Sequence, residues 1–145
     1  MYCPRCDKPL VPSAWDDLDG ASPYRAQLSA AFDRMRCNEC RGSWVPVQSV
    51  GALVQSIAEP MVGREKAQLV ARRFDADTEA MDVAESLKIR CPRCRAPMDK
   101  LRSRVRFLVL YDRCGACRGM WFDEGELPRI VSALHTSALN TLDGS

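Results

Sequence analysis

Aromatic residues are sparse in this chain. Aromatics make up 7% of its 145 residues, so a single large apolar core is not assured. Units of about 40 to 50 residues rarely hold themselves together without disulfides or metal. Long apolar runs are missing too: the longest strand-like one is "FLVLY" at 107–111, far short of the roughly 20 residues of a membrane helix. The start, "MYCPRCDKPL", shows no basic and then apolar leader pattern. Histidine is nearly absent. His135 stands alone, outside every cysteine pair, and reads as an ordinary helix-face residue. No Gly-rich phosphate loop, HExxH or nucleophile motif occurs. The expectation is a cytoplasmic protein with no membrane contact, no small-molecule substrate and no catalytic residues. Thiols stay reduced in that compartment.

Cysteine is abundant. Eight cysteines fall into four CxxC pairs with none left over: Cys3/Cys6, Cys37/Cys40, Cys91/Cys94 and Cys114/Cys117. "CPRCDKPL" at 3–10 matches "CPRCRAPM" at 91–98, and "CNECRGSW" at 37–44 matches "CGACRGMW" at 114–121. One unit therefore occurs twice, with 30 residues between its pairs in the first copy and 19 in the second. The extra residues of the first copy fall on "SAWDDLDGASP", which is rich in turn formers. Trp15 lies there among Asp16, Asp17 and Asp19, open to local packing or to a protein contact.

Zinc accounts for this spacing. It takes four thiolates at tetrahedral corners, and each CxxC turn offers two on one tight knuckle. Two ions per chain are expected, one on Cys3, Cys6, Cys37 and Cys40, the other on Cys91, Cys94, Cys114 and Cys117. Ligand type alone leaves iron open. A redox role for four matched pairs lacks the βαβ context of thioredoxin-like motifs. Pro4 and Pro92 fix φ in the turns. Gly42 and Gly119 lie where the chain has to turn beneath the metal, and backbone N–H groups in such turns can donate to the sulfurs.

The second copy, with "CPRC" and then "YDRCGACRGMWFDEGEL", resembles the bacterial transcription-factor-IIB-type zinc ribbons, also called transcription factor zinc-finger domains. The resemblance covers 89–134 closely. It covers 1–55 more loosely, because "VPVQSVGAL" replaces the acidic helix start. It implies a zinc ribbon and, by analogy, nucleic-acid binding.

The expected fold is a small metal-bound α+β one. Two zinc ribbons, each a β-hairpin with two CxxC knuckles followed by a helix, are joined by a helical or extended linker. The boundaries are 1–62 for the first ribbon with its loop insertion and helix, 63–88 for a helical, acidic linker, 89–139 for the second ribbon and helix, and 140–145 for a disordered tail. Each ribbon is expected to stand as its own unit. Residues 105–111 favour a strand. Leu127, Ile130, Val131, Leu134 and Ala138 form one helix stripe, and so do Val47, Val50, Leu53, Val54, Ile57 and Met61, with a bend or end at Pro60. "REKAQLVARRF" suits a short helix and "DADTEAMDVAESL" an exposed linker or weak helix. Asp123 and Glu126 have capping-box spacing. Trp44 and Trp121, which match between copies, are expected to pack a helix onto its ribbon.

Charge is unevenly spread. The chain's net charge is +2, but residues 88–130 carry eleven basic and five acidic groups. Arg102, Arg104 and Arg106 alternate beside Lys100 and would project from one face of a strand. Two function classes follow. One is a non-enzymatic, transcription-associated nucleic-acid binder that meets phosphates through Lys100, Arg102, Arg104 and Arg106. The other is a protein-interaction adapter whose ribbons are purely structural.

Overall fold

The computed structural model describes residues 1–12, 34–47, 55, 58–76, 78–103, 109–126 and 129–130. The insertion around Trp15, Arg104, Arg106, His135 and the C-terminal helix stripe apart from Ile130 lie outside them.

Seven short strands among these residues make one sheet: β1 (Val11–Pro12), β2 (Met35–Arg36), β3 (Ser43–Val45), β4 (Thr78–Ala80), β5 (Asp99–Ser103), β6 (Val109–Arg113) and β7 (Met120–Phe122). Their order is β1-β2-β3-β7-β6-β5-β4, and every pairing is antiparallel. The order has a simple origin. In the sequence repeat β1, β2 and β3 correspond to β5, β6 and β7, so the two copies run outward in opposite directions from a seam between β3 and β7. At that seam Ser43 faces Phe122, Trp44 faces Trp121 and Val45 faces Met120. Ser43 corresponds to Met120 and Val45 to Phe122, so exchanging the copies reproduces the register. The seam is a local two-fold axis passing between Trp44 and Trp121.

Both seam strands are buried along their whole length, and the one polar side chain in them, Ser43, accepts from Arg34 Nη1 at 3.4 Å. The expectation of two ribbons with separate cores does not survive. Cys3, Leu10, Cys37 and Trp44 of the first copy and Cys91, Met98, Cys114 and Trp121 of the second belong to one buried cluster. Two short hairpins expose too much surface to be stable singly; laid edge to edge, they bury a common centre.

The intervening segment is more structured than a linker. Helix α1 (Arg64–Ala76) buries Ala67 and Val70, three residues apart and so on one face. A helical stretch at 58–62 runs through Pro60 instead of ending there. The break comes at Gly63, whose φ of 85° suits a residue without Cβ. Part of "DADTEAMDVAESL" adds to the sheet as β4, with Thr78 opposite Ser103, Glu79 opposite Arg102 and Ala80 opposite Leu101. Tyr111 and Phe122 are both buried, with ring centroids 5.6 Å apart. Among the described residues no helix is long and apolar enough to cross a membrane.

Candidate metal centres

The four CxxC turns share one backbone conformation. The N–H of each first cysteine donates to the carbonyl five residues on: Cys3 to Lys8 at 2.7 Å, Cys37 to Gly42 at 3.0 Å, Cys91 to Ala96 at 2.8 Å and Cys114 to Gly119 at 3.0 Å. Each first cysteine's carbonyl in turn accepts from the N–H four residues on, at Asp7, Arg41, Arg95 and Arg118. Those four are the non-glycine residues with positive φ among the described residues, at 57° to 66°. Left-handed backbone costs a non-glycine residue about 1–2 kcal/mol, and the paired hydrogen bonds of the knuckle hold it there. The sharp turn under each second knuckle is thus made at Arg41 and Arg118, not at the neighbouring glycines.

Gly42 and Gly119 serve the seam. A Cβ on Gly42 would run into the ring of Trp121, and a Cβ on Gly119 into the ring of Trp44. Each tryptophan therefore lies on the glycine of the opposite copy. The helices that Trp44 and Trp121 are expected to pack onto their own ribbons lie mostly outside the described residues. Trp44 and Trp121 are 1% and 0% exposed, which rules out base stacking by either in this fold.

The sulfurs come together in two groups, Cys3/Cys6/Cys37/Cys40 and Cys91/Cys94/Cys114/Cys117, each with all four sulfurs within 4.8 Å of one another. Cys3 Sγ lies 3.6 Å from Cys40 Sγ, and Cys91 Sγ lies 3.7 Å from Cys117 Sγ. Four thiolates around zinc at about 2.3 Å lie about 3.8 Å apart, so both groups suit a tetrahedral ion. All eight cysteines are free thiols. Backbone N–H groups converge on the first sulfur of the turns: Arg5 and Cys6 on Cys3 Sγ at 3.4 and 3.3 Å, Arg93 and Cys94 on Cys91 Sγ at 3.4 and 3.2 Å, and Cys117 on Cys114 Sγ at 3.5 Å.

The thiols of each group are electrostatically unequal. Burial pushes Cys3 and Cys91 up to about 12, against the N–H donors of their own turns. Burial also raises Cys6, to about 11. For Cys37 and Cys114 burial again acts upward, but backbone N–H groups and neighbouring sulfurs outweigh it and bring both down to about 7. The same turns thus favour ionisation at Cys37 and Cys114 and disfavour it at Cys3 and Cys91. Residues 90–133 match the transcription factor zinc-finger family. That zinc-finger segment contains the whole second cysteine group, and the first group fits a tandem partner of it. The two tetracysteine groups can hold two zinc ions. No curated protein and no solved structure matches the chain.

Polar contacts around the zinc-finger segment differ from the sequence reading. Among the described residues the Asp123 carboxylate does not accept from the helix-start N–H groups: it accepts from Arg5 Nε at 2.5 Å, Arg5 Nη2 at 3.0 Å and Trp121 Nε1 at 3.1 Å. Burial alone would raise the Asp123 carboxyl, but Arg5 outweighs it and holds the group below its ordinary value. This fork joins the first copy's knuckle to the second copy. At the equivalent place on the other side the partners are Arg93 and Pro46, so no matching fork forms. Glu126 accepts from the Leu110 N–H at 3.3 Å.

Of the four basic residues singled out from the sequence, two are described. Lys100 Nζ lies 3.1 Å from Asp112 Oδ2, and the Asp112 side chain is only 4% exposed. Burial raises the Asp112 carboxyl although Lys100 draws it down. Arg102 Nη2 lies 2.8 Å from Glu79 Oε2 on the neighbouring strand. Both cations are therefore paired with carboxylates of the same chain, Lys100 with a buried one and Arg102 with a part-exposed one. Sequence reading missed the seam and the Arg5–Asp123 fork. The Gly-x-Trp spacing was the available signal for the first: residues two apart share a strand face, so each copy presents a hollow beside a bulky ring.

Proposed function

We propose that the chain is a zinc-stabilised, non-enzymatic nucleic-acid-binding protein of the transcription-associated kind, working in the reducing cytoplasm. The match of its most basic segment to the transcription factor zinc-finger family carries this reading. A set of exposed knuckle arginines supports it: Arg41, Arg90, Arg93, Arg95 and Arg118 are exposed and form no ion pair among the described residues. Four thiolates fill a tetrahedral shell and leave no coordination place for a reacting water, which favours a structural role for both centres.

The test is a salt titration of binding to labelled single-stranded DNA, single-stranded RNA and duplex DNA. Phosphate contacts make affinity fall linearly on a log–log plot, with a slope of about −0.7 to −0.9 per contact. Replacing Arg102, Arg104 and Arg106 with alanine should flatten that slope while both zinc ions stay bound. The adapter reading is favoured by the pairing of Lys100 with Asp112 and of Arg102 with Glu79. It takes over if no nucleic acid binds at physiological salt and a protein partner does.

A further inference from the structure

The two Cys-Pro-Arg-Cys knuckles face one another across an open cleft of about 330 Å³. Their backbones match. Tyr2 bridges Pro9 as Arg90 bridges Pro97, and the knuckle hydrogen bonds of Cys3 and Cys91 are the same. The side chains lining the two walls do not match. Tyr2 of the first copy stands where the second has Arg90, and Asp7 where it has Arg95. A symmetric scaffold thus carries an asymmetric lining, with an aromatic ring and a carboxylate on one wall and two guanidinium groups on the other.

The charges of this lining are differently engaged. Arg5 is held by Asp123, and Lys88 by Asp99 and Glu85. Arg90 and Arg95 have no ion pair among the described residues. Arg90 Nη1 donates to the Arg95 carbonyl at 3.0 Å, which steadies its guanidinium at the lip and leaves other N–H groups for an anion. Tyr2 is 48% exposed, an unusual degree for an aromatic with neighbours to pack on. A ligand that suits both walls has a flat π face and a negative group a short distance away. The cleft lies at the small end of the pocket range of about 300–1,000 Å³, so it takes one such unit and not a duplex.

We propose that this cleft holds one unstacked nucleotide, with its phosphate on Arg90 and Arg95 and its base against Tyr2. The inference rests on the nucleic-acid reading above and gives it a binding site away from the arginine strand. Stacking on an aromatic ring is how single strands are held without duplex geometry. Asp7 offers an acceptor to a sugar hydroxyl or a base amine.

The experiment is fluorescence anisotropy of zinc-loaded protein with a labelled mixed-sequence single-stranded oligonucleotide, alongside calorimetry with a free mononucleotide. Variants are Arg90→Gln/Arg95→Gln and Tyr2→Ala, each checked for two bound zinc ions. The arginine variant should bind the strand more weakly, with a salt slope smaller by about 0.7, the loss of one single-strand phosphate contact. Tyr2→Ala should weaken binding by about tenfold with the slope unchanged, since stacking carries no counterions. Wild-type binding of the strand that neither variant alters overturns the cleft proposal and leaves the broader reading standing. Mononucleotide binding that both variants abolish, with no strand binding, supports the cleft with a free nucleotide as its ligand and removes the broader reading. No binding of either probe overturns both. Each loaded tetrathiolate centre carries a net charge of about −2. If the arginine variant loses zinc affinity and keeps oligonucleotide binding, the arginines serve those centres and the proposal fails.

Discussion

Replacing Gly119 with alanine adds one methyl group in the second copy, and its cost should be felt at the metal of the first. The new Cβ would collide with the buried ring of Trp44. Trp44 sits on β3, in register with Trp121, and the Cys37 knuckle leads straight into that strand. The ring has no free space to enter, so the seam has to open or the tryptophan has to leave its rotamer. Overpacking of this kind costs about 1–3 kcal/mol, a large share of the roughly 5–15 kcal/mol by which domains are stable. Gly115 is the control. It lies in the same second-copy knuckle, yet a Cβ there meets nothing within 4 Å, and an exposed change of this size falls within about 0.5 kcal/mol. The assay is chelator-driven zinc release followed by absorbance. Gly119→Ala should shift the release of both ions to lower chelator concentration, while Gly115→Ala should leave both in place. Trp44→Phe removes the ring atoms that collide, so the double variant should recover part of the loss, a non-additivity of about 0.5–3 kcal/mol. Equal behaviour of the two alanine variants would refute the interlock. So would loss of the second ion alone, or strict additivity with Trp44→Phe.

Three further outcomes are expected. Lys100→Met strands the Asp112 carboxylate and should cost about 3 kcal/mol in urea unfolding of the zinc-loaded protein, the low end for breaking a buried pair because Lys100 keeps some water; Asp112→Asn in the same background should restore part of it. Arg5→Ala should lose up to about 1 kcal/mol, the range for a part-exposed pair, whereas Arg93→Ala at the equivalent place should be neutral; equal losses would mean that the fork with Asp123 contributes nothing. At pH 7 the Cys3 and Cys6 thiols, pushed up to about 12 and about 11, are protonated before metal binds and must release their protons to it. Protons then compete with zinc, so a chelator competition should show affinity at the first site falling by at least about a hundredfold for each pH unit downward near neutrality.

The metal ligands were legible in the sequence because their signal is local. Each CxxC is a pair on one turn, and the repeat assigns the pairs to two groups with no long-range information. The chemistry of the turns was legible for the same reason, apart from the role of the glycines. Gly42 and Gly119 invited a reading in terms of their own backbone, whereas the structure explains them by a ring that arrives from 79 residues away in one case and from 75 in the other, as the positions of Trp121 and Trp44 show. The linker was misjudged on composition. "TEA" has little strand character, but β5 offers it an open edge, and Glu79 finds Arg102 across the pair. The same long-range pairing hid the partners of Lys100 and Arg102: alternation along a strand shows which way a charge points but not what it meets.

The seam between β3 and β7 is self-complementary. Hollow meets ring and ring meets hollow, which is the arrangement of an isologous dimer interface. A single copy of the repeat carries both halves of that contact, so the fold is a dimer whose subunits share one chain. Covalent joining fixes the effective concentration of the second half at roughly the millimolar scale, whatever the protein concentration in the cell. It also removes a restraint that binds true homodimers, in which every substitution appears twice. Here the Gly-x-Trp residues that interlock are the same in both copies, while residues around them differ. Tyr2 and Arg90, or Asp123 and Pro46, occupy equivalent places with different chemistry, and a two-fold scaffold thereby acquires two distinguishable sides.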